Sequence, residues 1–286
     1  MKPNHVNVAN IKKISEAVGT WMKSRKLKMN AGKTEIMIIG NNNNIGRVQS
    51  EFDQIVNFGD TAVVPAKKLK NLGFIFDQSL TLSNQINEVK RKAIRGLINI
   101  SHISSIINKK YRLQLVHSLV LSHLDFCNSL YYGLSNRELH SLQMLLNSAA
   151  RIVVNWPRFS RNRITPICIQ LHLLPVKARI EFKICLLVFK ALKYGKPSYL
   201  SELLKPYIPF SNVQLRNSGR LSEPLISGLV SSERCFEYHA PRLFNSIPDD
   251  IKAVNSVEGF KKKLKTHLFL KAYNTSEQSI NSEYSV

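Results

Sequence analysis

Few side chains in the 286-residue chain have the types and spacing that catalysis or metal binding requires. The paired carboxylates Asp249 and Asp250 are potential metal ligands, but they follow Pro248, and a proline succeeded by acidic residues predicts the start of a helix. Cys168 and His172 supply only two ligands of the four that a tetrahedral zinc site needs. These residues therefore predict no metal centre.

Lys33 and two histidines are the remaining candidates. Lys33 follows the turn-forming residues Asn30–Gly32, and its position alone is compatible with a solvated turn lysine paired with Glu35. His117 and His123 lie in an apolar segment that predicts a helix, and we expect packing or hydrogen bonding of their rings, not catalysis.

The charge of the chain is extreme. Its net charge is +22 and its pI about 10. The excess is +6 in residues 1–80, +7 in residues 81–160 and +9 in the remainder, so it is spread through segments that predict folding. A polyanionic partner explains this distribution, and nucleic acid is the foremost one. A ribosomal-like or merely soluble basic protein is the alternative.

The four cysteines and the hydropathy pattern indicate the kind of cellular compartment in which the chain is expected. Cys127, Cys168, Cys185 and Cys235 are far apart and form no C-x-x-C pair. We predict small core residues in a reducing environment. No apolar run approaches about 18 residues, and no N-terminal signal pattern occurs, so no membrane span is predicted.

The N-terminal third predicts one helix followed by antiparallel strands. Apolar residues at spacings of three and four predict a helix over 7–28, with Trp21 anchored in the core. Ile36–Ile39 predicts a short strand ended by Gly40. The segment Phe58–Thr61 predicts a hairpin turn between two short apolar runs, and Leu72–Phe76 predicts the last strand.

The stretch WMKSRKLKMNAGKTEIMIIG, followed by KNLGFIFD, resembles the end of the palm in reverse transcriptases of non-LTR (LINE) retrotransposons of the jockey-like kind. The resemblance continues in five further blocks and covers roughly residues 15–273. These blocks are HLDFCNSLYYGL (123–134), LQMLLNSAARIV (142–153), LHLLPVKARIEFKICLLVFKAL (171–192), APRLFNSIP (240–248) and FKKKLKTHLF (260–269).

The resemblance implies roles for particular residues. Lys33 corresponds to the motif D lysine, which lies near the departing pyrophosphate in that family and would be an auxiliary catalytic group. Leu72, Gly73 and Phe74 correspond to motif E, the primer grip.

After Asp77 the pattern becomes helical, at the position of the family's thumb. An apolar stripe at spacings of three and four predicts a buried helix face; its members are Ile86, Val89, Ala93, Leu97 and Ile100. Basic residues lie mostly off that stripe, namely Lys90, Arg91, Lys92 and Arg95. By the resemblance we expect them to contact the phosphates of a primer–template without reading its sequence, and the alternative is a solvated charged face.

A second basic segment follows another predicted helix. Ser135 and Glu138 have capping-box spacing, and an apolar stripe continues from there to Asn155. Arginines interleaved with Trp156 and Phe159 then suit contact with RNA by stacking and charge, or simply fold as a loop on the core. They are Arg151, Arg158, Arg161 and Arg163. For Tyr131 and Tyr132, helix packing is preferred over base stacking.

Polymerisation in this family needs palm aspartates that hold two metal ions. Upstream of Lys33 the chain has no aspartate, and Glu16 is the single acidic residue. We therefore expect a catalytically incomplete fragment of an RNA-directed DNA polymerase, whether a fragmentary gene or a decayed copy of the element. No cofactor is expected here, and magnesium only in the full-length enzyme. The alternative is a host-adopted, non-enzymatic nucleic-acid-binding protein.

The predicted fold class is α+β, mostly α. A small antiparallel palm remnant (1–80) precedes a helical thumb (81–160), a helical C-terminal region (161–273) and a disordered tail (274–286). Expected partners are RNA and DNA, together with the missing upstream polymerase half, and no membrane. The expected location is intracellular, in a nuclear or cytoplasmic ribonucleoprotein.

Overall fold

The structure is a computed structural model that describes residues 6–28, 30, 33–40, 45–46, 57–58, 61–62, 64–156, 163–208, 220–224 and 235–273. The chain divides into two compact units, residues 1–88 and 89–286. The domain boundaries that the sequence predicts at 80, 160 and 273 stay predictions.

The first unit opens with helix α1, Val6–Ser24. The helix was predicted over 7–28 and ends four residues earlier. At its end Lys26 has a left-handed backbone (φ 57°). The N–H of Lys26 donates to the carbonyl of Lys23, and that of Leu27 to the carbonyl of Met22. This pair of bonds satisfies the last carbonyls of the helix and turns the chain away from its axis.

Two short antiparallel hairpins follow. Strand β1 (Asn57–Phe58) pairs with β2 (Thr61–Ala62), and the register places Phe58 opposite Thr61. This confirms the hairpin predicted around residues 58–61. Strand β3 (Lys68–Asn71) pairs with β4 (Phe74–Asp77) along its full length.

Ile36–Ile39 is not a strand, contrary to prediction. The carbonyl of Ile36 accepts from the N–H of Ala66, and the N–H of Gly40 donates to the carbonyl of Gln78. These two bonds lie four residues apart on different partner segments. This apolar run therefore forms separate backbone bonds without the continuous ladder that defines a strand.

The predicted strand Leu72–Phe76 is also partly wrong. Leu72 (φ 47°) and Gly73 (φ 89°) form the two-residue turn between β3 and β4, and Asn71 pairs directly with Phe74. Positive φ at both central residues is typical of the type I′ turn, whose twist matches that of the flanking strands. Lys68–Asn71 supplies a strand that the sequence analysis missed.

The remaining elements of the described chain are helical, apart from a single β-bridge between Pro206 and Leu221. They are α2 (Ser83–Ile103), α3 (Lys109–Val116), a π-helical segment (His117–Leu121), α4 (Ser122–Asp125), a 3₁₀ turn (Asn128–Tyr131), α5 (Asn136–Val153), α6 (Thr165–Gln170), α7 (Val176–Tyr194), α8 (Ser198–Ser201), α9 (Phe236–Asn245), α10 (Asp249–Lys252) and α11 (Val257–Tyr273). Helix α2 begins in the first unit and ends in the second. The architecture is thus α+β and mostly α, as predicted.

Several of these helices have capped or acidic N-termini, and the sequence indicated those of α5 and α10. The Ser135 hydroxyl accepts from the N–H of Glu138, 3.3 Å away, and donates to its carboxylate. The Ser256 hydroxyl accepts from the N–H of Gly259 at 3.0 Å. Asp249 and Asp250 lie in the first turn of α10, where carboxylates complement the helix dipole.

Helix α7 is the centre of the second unit and contacts α5, α9 and α11. The ring of Phe189 stacks on that of Phe260 from α11, with centroids 4.0 Å apart. Both side chains are buried, and each contributes about 1.5–3 kcal/mol through burial alone. Tyr131 is also fully buried, and the half-buried Tyr132 stacks on His239, so both tyrosines contact the protein itself as preferred.

Two expectations about the core are wrong. Trp21 is not a core anchor, because 59% of it is exposed. Cys168 and Cys185 are buried, and burial raises the pKa of the Cys185 thiol to about 12. Cys127 and Cys235 are exposed instead. In each case an apolar sequence context was mistaken for a buried location.

Candidate nucleic-acid interface

The β3–β4 hairpin is bonded to the start of α2. The Asp77 carboxylate accepts from the N–H of Thr81 at 2.8 Å and from the N–H of Leu82 at 2.7 Å. The Gln85 side chain accepts from the N–H of Ile75 at 2.9 Å. Because Asp77 and Gln85 are buried, these charge-assisted and amide bonds hold the hairpin firmly on the helix.

The hairpin separates the three residues matched to the primer grip. Leu72 is 93% exposed at the tip, Gly73 follows it there, and Phe74 is buried at 3% exposure. Lys68 and Lys70, two residues apart on β3, are both exposed. The hairpin therefore presents an apolar tip beside two cations, while Phe74 anchors it.

The apolar stripe of α2 is buried as predicted, and its basic residues lie outside it. Arg91 and Arg95 are exposed, whereas Lys90 and Lys92 are half-buried. Ile94 (44% exposed) and Ile98 (49%) share the outer side. The outer face of α2, as the name is used here, comprises Arg91, Ile94, Arg95 and Ile98.

The sequence after Glu88 is basic as far as the end of α3. Residues 89–124 contain seven lysines and arginines and no acidic residue. A cluster of cations along a helix is the electrostatic footprint of phosphate binding. This acid-free run is a signal that sequence reasoning overlooked, since it extends through α3 as well as α2.

The second predicted basic segment is described only in part. Arg151 is half-buried in the last turn of α5, and Arg163 is exposed just before α6. Trp156 is half-buried. Arg158, Arg161 and Phe159 lie outside the described residues, so their predicted contact with RNA stays a prediction.

Arg112 is a basic residue with a structural task. Its guanidinium donates to the carbonyl of Val153 at 2.8 Å and to the carbonyls of Ser104 and Ile107 at 2.6 Å. It thereby satisfies the carbonyls that follow α2 and end α5. These bonds direct its donors inward, away from a phosphate.

The lysines of α11 differ in their partners. Lys261 bonds Glu258 at 2.7 Å, and Lys263 lies 3.9 Å from Asp250. Lys262 and Lys265 are exposed on the same helix. The sequence analysis assigned none of these lysines a contact with nucleic acid.

A polar cluster joins α4, the following 3₁₀ turn and α7. Arg179 donates to the carboxylate of Asp125 at 2.7 Å and to the carbonyl of Leu174 at 2.9 Å. The amide of Asn128 donates to Asp125 at 3.3 Å. Desolvation, followed by the positive charges of Arg179 and Lys265, lowers the pKa of nearby His117, and Asp125 opposes the shift.

Lys33 lies exposed in a hydrogen-bonded turn. Its N–H and the hydroxyl of Thr34 both donate to the carbonyl of Asn30, at 3.0 and 3.1 Å. This geometry fits either role that the sequence left open. Within the described part of the chain, no group of three His, Cys, Asp or Glu side chains is placed to hold a metal ion.

Two broader observations complete the description. None of the helices in the described ranges is both long and apolar enough to cross a membrane. Comparison with known proteins gave no match to a protein-family model, a curated protein or a solved structure.

Proposed function

We propose that the chain binds nucleic acid through the outer face of α2, as the primer–template-holding part of a non-LTR reverse transcriptase. The observation that carries this proposal is the pair of exposed arginines, Arg91 and Arg95, on a helix whose opposite side is buried. The six ordered sequence blocks supply the family part of the proposal, and the net charge of +22 agrees with a polyanionic partner.

The α2 helix suits this task because its two sides are unlike. Its buried stripe fixes the helix in the protein, so the arginines are held at constant spacing along the axis. Arginine forms two parallel hydrogen bonds with a phosphate, which gives geometric as well as electrostatic complementarity. Such contacts fix the position of a duplex and leave its sequence unread.

The hairpin tip is the second proposed contact, because the resemblance matches its residues to the primer grip. Leu72 offers an apolar surface of the kind that packs on a sugar or base, and Lys68 and Lys70 offer phosphate contacts. Lys33 retains its proposed auxiliary role in an intact enzyme, and we expect no polymerisation by this chain alone.

The test is a binding titration of the purified chain with a fluorescent RNA–DNA hybrid at several salt concentrations. We expect the logarithm of the association constant to fall linearly with the logarithm of the salt concentration, because phosphate contacts release counterions. Absence of binding at low salt, or an affinity that salt leaves unchanged, would overturn the proposal.

A further inference from the structure

Helix α1 carries an apolar face that the described residues leave uncovered. Ile14 is 63% exposed, Val18 44% and Trp21 59%. Their spacing of four and then three residues places them in one row on the helix. Leu27, 53% exposed, follows just past the end of α1.

Cations accompany this row along the chain. Between residues 13 and 28 the chain has five basic residues and one acidic residue, Glu16. The guanidinium of Arg25 lies 6.0 Å from the centre of the Trp21 ring, at the limit of a cation–π contact. An occupant of this face must therefore offer apolar pockets inside an acidic surface.

We propose that the exposed face of α1 docks in the apolar groove of an acidic helix-binding protein of the EF-hand sensor type. Proteins of this class take basic amphipathic helices whose apolar anchors recur at i, i+4 and i+7. Calcium opens their groove, which is rich in methionine and adapts to different anchors.

The row favours a groove over a lipid surface. Three separated anchors fill discrete pockets, whereas binding in the plane of a membrane needs a broad apolar side. Glu16, Thr20 and Ser24 recur along α1 with a spacing of four and limit the apolar width. This inference concerns α1 and stands independently of the α2 contact with nucleic acid.

The experiment uses the full chain with Trp156→Phe, which leaves Trp21 as its sole tryptophan. Calcium-loaded calmodulin is the probe, and the fluorescence of Trp21 is the readout. We expect a saturable blue shift with a Kd at or below about 1 μM, reversed by a calcium chelator.

A matched pair of variants locates the contact. Ile14→Ser in the same background removes one anchor and should raise the Kd at least about tenfold. Ile106→Ser removes an isoleucine outside α1 that is even more exposed (82%) and should change the Kd less than about twofold. Circular dichroism of both variants checks that the fold is kept.

Four results would overturn the proposal. These are no fluorescence change, binding that persists without calcium, equal losses in the two variants, and a Trp21 response to anionic vesicles or to an RNA–DNA hybrid in place of calmodulin.

Discussion

Gly96 of α2 touches the backbone of Leu119 in the π-helical segment. A β-carbon at position 96 would lie 2.5 Å from the carbonyl oxygen of Leu119 and 3.2 Å from a methyl group of Val120. Backbone atoms cannot move aside for an added β-carbon as the end of a flexible side chain can. The π-helical segment and α2 therefore meet at a distance that only glycine permits, while Arg91 and Arg95 remain exposed.

Gly96→Ala should destabilise the protein by about 1–3 kcal/mol, because overpacking outweighs the gain of about 1 kcal/mol in helix propensity. Gly19→Ala is the matched control, since nothing lies within 4 Å of a β-carbon there. It should stabilise α1 by up to about 1 kcal/mol. Urea denaturation measures both changes, and a stabilising Gly96→Ala would refute the close packing.

Arg179→Met should cost about 1.5–3 kcal/mol, because it removes the 2.7 Å bond to the Asp125 carboxylate, whose side chain is 38% exposed, and the bond to the Leu174 carbonyl. Lys261→Met removes a pair of the same length whose side chains are 37% and 82% exposed, and should cost under about 0.5 kcal/mol. Equal costs for the two variants would show that the burial of Arg179 is irrelevant.

How far the sequence could predict the helical part is clear from α2 and α5. The stripe from Ile86 to Ile100 repeats every three or four residues, and Ser135 with Glu138 marks a helix start. Both signals are local, and both predictions are confirmed. Arg112 could not be assigned from sequence, because its acceptor at Val153 is 41 residues away.

Trp21 and Leu72 show why other predictions failed. An apolar residue is buried only when another element covers it. Hydrophobic periodicity within one segment does not show whether such an element is present. Leucine favours strands and helices, but the pairing of Asn71 with Phe74 places Leu72 in the turn between two strands. Sequence patterns thus predicted the buried face of α2 well, and they predicted poorly which hydrophobic residues of the first unit are exposed.

Acidification should destabilise the protein through His117 and His267. Desolvation comes first among the causes that lower both pKa values below 6.5; Lys271 adds to the shift at His267, and Asp250 opposes it. The unfolded chain therefore binds protons first, so the unfolding free energy declines as the pH falls from about 7 through 6.5 toward the lower folded pKa values.

Replacing both histidines by glutamine should flatten this decline, measured as the difference in urea midpoint between pH 7.5 and pH 5.5. The exposed His140→Gln variant is the control and should retain the wild-type difference. An unchanged decline in the double variant would mean that other groups set the acid sensitivity.

Leu72→Asn should stabilise the hairpin by about 0.5–1 kcal/mol, because asparagine tolerates positive φ better than leucine. The same change should weaken binding to an RNA–DNA hybrid severalfold if the tip contacts nucleic acid. Leu80→Asn replaces another leucine of positive φ (50°), away from the tip, and should leave binding unchanged. Unaltered affinity in Leu72→Asn would remove the hairpin tip from the interface.

The most direct test of the α2 interface is the salt dependence of hybrid binding in Arg91→Gln/Arg95→Gln, compared with Lys177→Gln/Lys190→Gln. Both variants lose two exposed positive charges, so they share a net charge. Each phosphate contact contributes about 0.9 to the slope of log association constant against log salt. We predict that the slope becomes shallower by about 2 in the α2 variant and stays at the wild-type value in the α7 control; equal slopes in the two variants would contradict binding through α2.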